Sequence, residues 1–173
     1  MTTESLAILG ALRHDPRVTT RDRPGFVLDE LSKRIIEQLQ EDGRRPYAAI
    51  GKAVGLSEAA VRQRVQRLLD AGVMQIVAVT DPLQVGFSRQ AMIGVRAEGD
   101  LGKVADRLAE MPEVDYVVIT AGSFDLLAEA VCEDDDALLE LISNKIRTIE
   151  GVRTTETFVY LKLRKHLYNR GTR

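Results

Sequence analysis

A chain of 173 residues, 45% of them hydrophobic, can bury a core in one ordinary domain or two small ones. No apolar run reaches the roughly 20 residues of a membrane span, and the opening MTTESLAILGALRHDPR lacks a basic start, so a cytoplasmic protein is expected. The single Cys132 excludes an internal disulfide and a thiol redox pair, and its apolar setting predicts a buried strand thiol.

The net charge of −2 hides a gradient along the chain. Residues 1–75 carry 12 lysines and arginines against 10 acids, residues 88–150 carry 6 against 14, and residues 151–173 carry 6 against 1. Contact with a polyanion would then be confined to one part of the molecule.

Residues 1–25 read as an extension, polar and closed by Pro24-Gly25, in which Leu6, Ile8, Leu9 and Leu12 suit one short helix. From Leu28 the pattern turns helical, with Leu28, Leu31, Ile35, Ile36 and Leu39 at spacings of three and four, up to Gly43. Asp29 and Glu30 stand in the first turn, where the helix dipole favours them. A second helix is predicted over about Pro46–Val54, with Ile50, Ala53 and Val54 inward. Gly55-Leu56-Ser57 supplies a turn, a core residue and an N-cap for a third helix ending at Gly72, which buries Val61, Val65, Leu68 and Leu69.

Met74–Val79 reads as a short strand, a wing closed by Asp81-Pro82. These elements make a winged helix-turn-helix domain over residues 26–80, with a linker at 81–88. Residues 89–165 then alternate in type. Strands are expected at 89–98, 114–121, 126–132 and 152–163. Helices are expected at 101–111, with Val104, Ala105 and Leu108 inward, and at 135–149, with Leu138, Leu139, Leu141, Ile142 and Ile146 inward. The order β-α-β-β-α-β is ferredoxin-like, an α+β sandwich, so the chain as a whole is a two-domain α/β protein. Residues 166–173 form a basic tail.

A tight glycine turn between two helices, the second rich in arginine, presents that second helix to a major groove. With Val61 at the centre of the buried face, about 100° per residue places Ala59, Arg62, Gln63, Gln66, Arg67 and Asp70 on the outer arc beyond Ser57. Arginine can fork onto guanine and glutamine onto adenine. Arg44, Arg45 and Lys52 suit phosphates, which position a protein without reading sequence. Arg64 flanks the buried stripe and suits a phosphate or an intramolecular partner.

The stretches LDELSKRIIEQLQEDGR, GLSEAAVRQRVQRLLDAGVMQ, TDPLQVGF, TAGSFDLLAEAV and GVRTTETFVYLKLRK resemble the Lrp/AsnC, or feast/famine, family of transcriptional regulators over roughly residues 27–165. Ser32 departs from the family pattern, which usually has an acid there. Gly122-Ser123-Phe124-Asp125 joins two predicted strands and taken alone reads first as a hairpin turn set by geometry, with a close approach to a ligand as the second reading. The resemblance implies an ACT-like C-terminal domain in which this Gly-x-x-Asp motif marks an amino-acid effector pocket between subunits. Gly122 and Asp125 would then be its main residues, Ser123 and Phe124 its lining, and Thr120, Thr155 and Glu156 secondary candidates. It also implies homodimers that gather into higher oligomers, commonly octamers.

Glu133-Asp134-Asp135-Asp136 precedes a helix and reads as capping in preference to a metal cluster. His14 and His166 have no ligand spacing to each other or to Cys132. No general acid-base set or phosphate loop can be assembled, so no enzyme, no metal and no cofactor is expected. Lys162, Arg164, Lys165 and Arg170 suit phosphate or subunit contacts alike. The expected function is a sequence-specific regulator on double-stranded DNA, nucleoid-associated, whose assembly or affinity answers to an amino acid. The alternative is an architectural, nucleoid-type DNA-binding protein that senses nothing.

Overall fold

The structure is a computed structural model that describes residues 28–165 and Thr172. The N-terminal extension, His14, His166 and Arg170 lie outside the described residues. The described chain divides into two compact units, residues 28–79 with 164, 165 and 172, and residues 80–163.

In the N-terminal unit three helices follow the predicted order: α1 (Glu30–Glu41), α2 (Tyr47–Val54) and α3 (Glu58–Asp70). Asp29 is the N-cap of α1 and accepts from the Ser32 amide at 2.8 Å. Ser32 is buried, and its hydroxyl accepts from Arg64 Nη1 at 3.2 Å. The absent family acid at that position is thus replaced by a contact between α1 and α3. Gly55 closes α2 at φ 78°, a left-handed backbone that glycine adopts without strain. The amides of Gly55 and Leu56 both donate to the Gly51 carbonyl, at 2.8 and 2.9 Å. The Ser57 hydroxyl then accepts from Ala60 and starts α3.

Ile35, Leu39, Ile50, Val54, Val61 and Val65 make the core of this unit, with Leu31, Tyr47, Leu56, Leu69 and Met74 packed around it. Ala53, expected inward, is exposed, and Gly51 is buried in its stead. The inner stripe of α2 runs 47, 50, 51, 54, the i, i+3, i+4, i+7 rows of one helix face, and residue 53 lies off it.

The expected strand at Met74–Val79 is not formed; no strand occurs between residues 71 and 88. Strand pairing needs a second strand, and residues 28–79 contain none. Ile76, Val77 and Val79 consequently stay exposed. A one-turn helix, Pro82–Gln84, follows, capped by the Asp81 carboxylate.

The C-terminal unit contains β1 (Arg89–Ala97), α4 (Leu101–Ala109), β2 (Val114–Ile119), β3 (Leu126–Cys132), α5 (Asp135–Glu140) and β4 (Val152–Val159). The sheet is antiparallel in the order β2-β3-β1-β4, the ferredoxin-like topology. Ala91, Ile93, Val95, Leu126, Ala128 and Ala130 face the helices and pack on Val104, Leu108, Leu138, Leu141 and Ile146. Cys132 belongs to this core, and burial pushes its thiol up from its ordinary value.

Several element ends and one inward assignment differ from expectation. The second helix widens after Glu140 into a π-helical turn, Leu141–Ile146, and stops short of residue 149. Leu139, expected inward, is exposed because the buried row runs through Leu138, Leu141 and Ile146. β4 ends at Val159, not Leu163: Tyr160 donates to the Gln90 carbonyl at 2.8 Å, and β1 starts only one residue before Gln90. Leu161 therefore has no ladder partner and is 95% exposed.

Candidate nucleic-acid interface and effector loop

Once Val61, Val65 and Leu68 turn to the core, the opposite arc of α3 has a fixed composition. Ala59, Arg62, Gln63, Gln66 and Arg67 are all exposed, as the spacing predicts. Their side chains are not equally free. Arg62 Nη2 donates to Glu58 Oε1 at 2.9 Å, and its guanidinium lies 5.3 Å from the Tyr47 ring centroid. Gln66 Nε2 donates to Asp70 Oδ1 at 2.7 Å. Gln63 and Arg67 make no side-chain contact of this kind among the described residues.

Upstream, Arg44 and Lys52 are exposed and their side chains are unpaired among the described residues. Arg45 is tied to Glu41 at 3.0 Å. Arg64 has an intramolecular role, reaching Asp29 Oδ2 at 2.7 Å from the flank of α3. Hydrogen bonds from Ser32 and Arg64 hold the Asp29 carboxyl down, at about 2. Ser57 is occupied as a cap and so shapes the helix start.

The loop 120–125 sits where β2 hands over to β3. The Thr120 amide donates to the Asp125 carbonyl at 2.8 Å, and the Thr120 hydroxyl to the Phe124 carbonyl at 2.5 Å. Asp125 bridges to β1: its amide donates to the Val95 carbonyl, and its Oδ2 accepts from the Ala97 amide at 2.9 Å. One carboxylate oxygen thus locks the loop to the sheet. Arg96 Nε donates to the Ser123 carbonyl at 2.8 Å, and nothing lies within 4 Å of the space a side chain would take at Gly122.

Phe124 folds onto the sheet face away from the helices. Three of its ring atoms lie 2.8 Å from where a Cβ would stand on Gly94, so the ring rests directly on the β1 backbone. Arg96 covers it at 5.3 Å, and Phe158 meets it edge-on with centroids 6.0 Å apart. Thr155, paired with Val95 in the ladder, accepts from Arg147 Nε at 2.9 Å and faces the helix side, whereas Glu156 pairs with Gly94 on the open face. The structure therefore separates these two secondary candidates and brings only Glu156 to the face that Phe124 occupies.

Residues 28–69 match the model of the AsnC-type helix-turn-helix domain, and residues 87–173 match that of a C-terminal dimeric alpha+beta barrel domain. An HTH-type transcriptional regulator of Pyrococcus furiosus, itself uncharacterised, is 37% identical over 146 residues, 83% of this chain and 99% of that protein. The chain belongs to the Lrp/AsnC family of transcriptional regulators. The regulator FL11 of Pyrococcus furiosus is 33% identical over 80% of this chain and 93% of its own length. Among solved structures, Escherichia coli AsnC superposes with a TM-score of 0.70 at 27% identity, covering 82% of this chain and 97% of that one. A transcriptional regulator of Neisseria meningitidis in complex with L-Met superposes at 0.72 with 27% identity, covering 82% and 95%. As a Lrp/AsnC member the chain is a DNA-binding regulator with a dimeric type of C-terminal domain. Among the described residues no helix is long and apolar enough to cross a membrane, and no three His, Cys, Asp or Glu side chains gather as a metal site.

Four residues of these sites escaped sequence reasoning: Tyr47, Gly94, Arg96 and Phe158. Gly94 carried a signal, because a glycine inside a strand marks a close approach by another group. The Glu58–Arg62 and Gln66–Asp70 pairs were readable as i, i+4 spacings.

Proposed function

We propose that this chain is a sequence-specific transcriptional regulator that reads DNA with α3 and whose assembly or affinity answers to an amino acid or related metabolite. The observation that carries the first part is the exposed arc Ala59, Arg62, Gln63, Gln66 and Arg67, standing opposite a buried apolar stripe at the start of the second helix of the motif. Arg62 and the two glutamines read base edges, and Arg44, Lys52 and Arg67 meet phosphates, while Arg45 is held by Glu41. Neither step needs a metal or a cofactor.

The second part is supported by the loop Gly122–Asp125, open at Gly122 and braced at Asp125, and by the related Neisseria regulator being known with L-Met. Two copies pair through the open sheet face, where Met92, Phe124 and Phe158 leave apolar surface, and dimers gather into octamers with the effector at their junctions. A ligand acts on such an assembly only through its different affinity for the two states.

Replacing Arg62, Gln63 and Gln66 by alanine together is expected to abolish preference for the operator upstream of the chain's own gene while leaving weak, salt-sensitive binding. Persisting operator affinity would remove α3 from the reading role. A thermal-shift screen of the purified protein against the amino acids, followed by footprinting and light scattering with the best hit, tests the effector. No shift from any of them favours a purely architectural DNA-binding protein.

A further inference from the structure

Arg62 is held from two sides by the two helices of the motif. Its guanidinium carbon lies 5.3 Å from the Tyr47 ring centroid, and Nη2 donates to Glu58 Oε1 at 2.9 Å. Tyr47 is the first residue of α2, whereas Glu58 and Arg62 stand one turn apart at the start of α3. The Tyr47 ring is itself packed on the cluster that contains Ile50 and Val61, so it is a fixed platform. Yet 66% of the Arg62 side chain stays exposed, and among the described residues only Nη2 of its nitrogens is engaged.

A free arginine samples many rotamers, and most of that freedom is lost when the fork closes on a base. An arginine already stacked on a ring and aimed by a carboxylate loses less on binding. We propose that Tyr47 is a positioning residue for base reading: its ring face holds the Arg62 guanidinium in place for a bidentate contact to guanine. This rests on the reading of Arg62 as a base-contacting residue.

The test is a double-mutant cycle in the full-length protein with Tyr47→Leu, Arg62→Ala, the double variant and Tyr47→Phe. Fluorescence anisotropy at one salt concentration reads affinity for a duplex selected by the wild type and for a scrambled duplex. Tyr47→Leu should weaken the selected duplex by about two- to fivefold, the worth of a cation–π contact at an exposed site. It should leave the scrambled duplex unchanged, and Tyr47→Phe should restore the wild-type value. Once Arg62 is alanine, Tyr47→Leu should cost nothing more. An equal loss with and without Arg62, a loss on both duplexes alike, or a failure of Tyr47→Phe to rescue overturns the proposal. If Arg62→Ala alone spares the selected duplex, the base-reading assignment fails first.

Discussion

Gly51 stands inside α2, where alanine ought to be the better residue by about 1 kcal/mol of helix propensity. The structure predicts the opposite outcome for Gly51→Ala. A Cβ there would stand 2.5 Å from the Leu56 carbonyl oxygen, which is backbone and cannot swing aside. The turn must open to relieve it, and the turn is closed by the amides of Gly55 and Leu56 donating to the carbonyl of Gly51 itself. Overpacking of this kind costs about 1–3 kcal/mol, and each weakened hydrogen bond adds roughly 0.5–1.5. Set against the propensity gain, the net is a destabilisation of about 1–5 kcal/mol, or some 4–8 °C of melting temperature per kcal/mol in a unit this small. Because the turn sets the angle between α2 and α3, operator affinity should fall as well. Gly55→Ala separates the causes: nothing lies within 4 Å of its Cβ position, but φ is +78°. It should cost about 1–2 kcal/mol from backbone strain alone, and Gly55→Asn should cost less, since asparagine visits that region more readily. Calorimetry with a DNA titration checks the set. A Gly51→Ala protein as stable as wild type with undiminished affinity would refute the packing argument.

The remaining predictions concern Asp29 and Gly94. The carboxyl of Asp29 is held at about 2, below its ordinary 3.8, so its contribution to stability is present above pH 4 and is lost as pH falls toward 2. Asp29→Asn keeps a capping side chain but not the charge facing Arg64, so acid unfolding followed by circular dichroism should show a shallower pH dependence in that window. An unchanged slope would mean that Asp29 does not report on the folded state. Gly94→Ala puts a Cβ 2.8 Å from three Phe124 ring atoms and must lift the ring off β1. We expect a loss of about 1–3 kcal/mol in the C-terminal unit and, on the proposed effector reading, a weakened thermal shift from any amino acid that binds, with Phe124→Leu in the same background recovering part of the stability.

Much of this fold is legible in sequence because burial has a period. Spacings of three and four locate α1 and α3, and alternation locates β1 and β3, since each of these presents one side to a core. Met74–Val79 shows where periodicity stops informing: a strand's alternation is local, but its partner is not, and the described residues of its unit offer none. Tyr160–Leu163 fails for the same reason, its alternation outrunning the end of β1. Ala53 and Leu139 fail because a residue adjacent to a buried row is apolar without belonging to it. In the candidate sites the helical wheel gives the correct arc of α3, yet it cannot show that a tyrosine from another helix covers Arg62. Nor could the motif Gly122–Asp125 show that one Asp125 oxygen is spent on the Ala97 amide.

The basic residues of the motif look more numerous than they are, and salt can count them. Between residues 44 and 67 the sequence holds six cationic side chains and one acid. Among the described residues three of the six are already committed: Arg45 to Glu41, Arg62 to Glu58 and Arg64 to Asp29. Arg44, Lys52 and Arg67 remain for phosphates, so a dimer offers about six such contacts, and the logarithm of affinity should fall with the logarithm of salt at a slope near −5. If binding broke every internal pair and engaged all six cations of each copy, the slope would approach about −11. The exposed pairs are individually weak, worth no more than about 1 kcal/mol, so they could yield to phosphate; what argues against it is geometry, since Arg64 reaches back to α1 and away from the outer arc of α3. Anisotropy titrations between 50 and 300 mM potassium chloride (roughly the range in which counterion release is readily measured) distinguish the two slopes. A value near −11 would mean that the internal pairs are resting contacts surrendered to DNA. A value near −5 that drops by about two with Arg67→Ala would place one phosphate contact per copy at the end of α3.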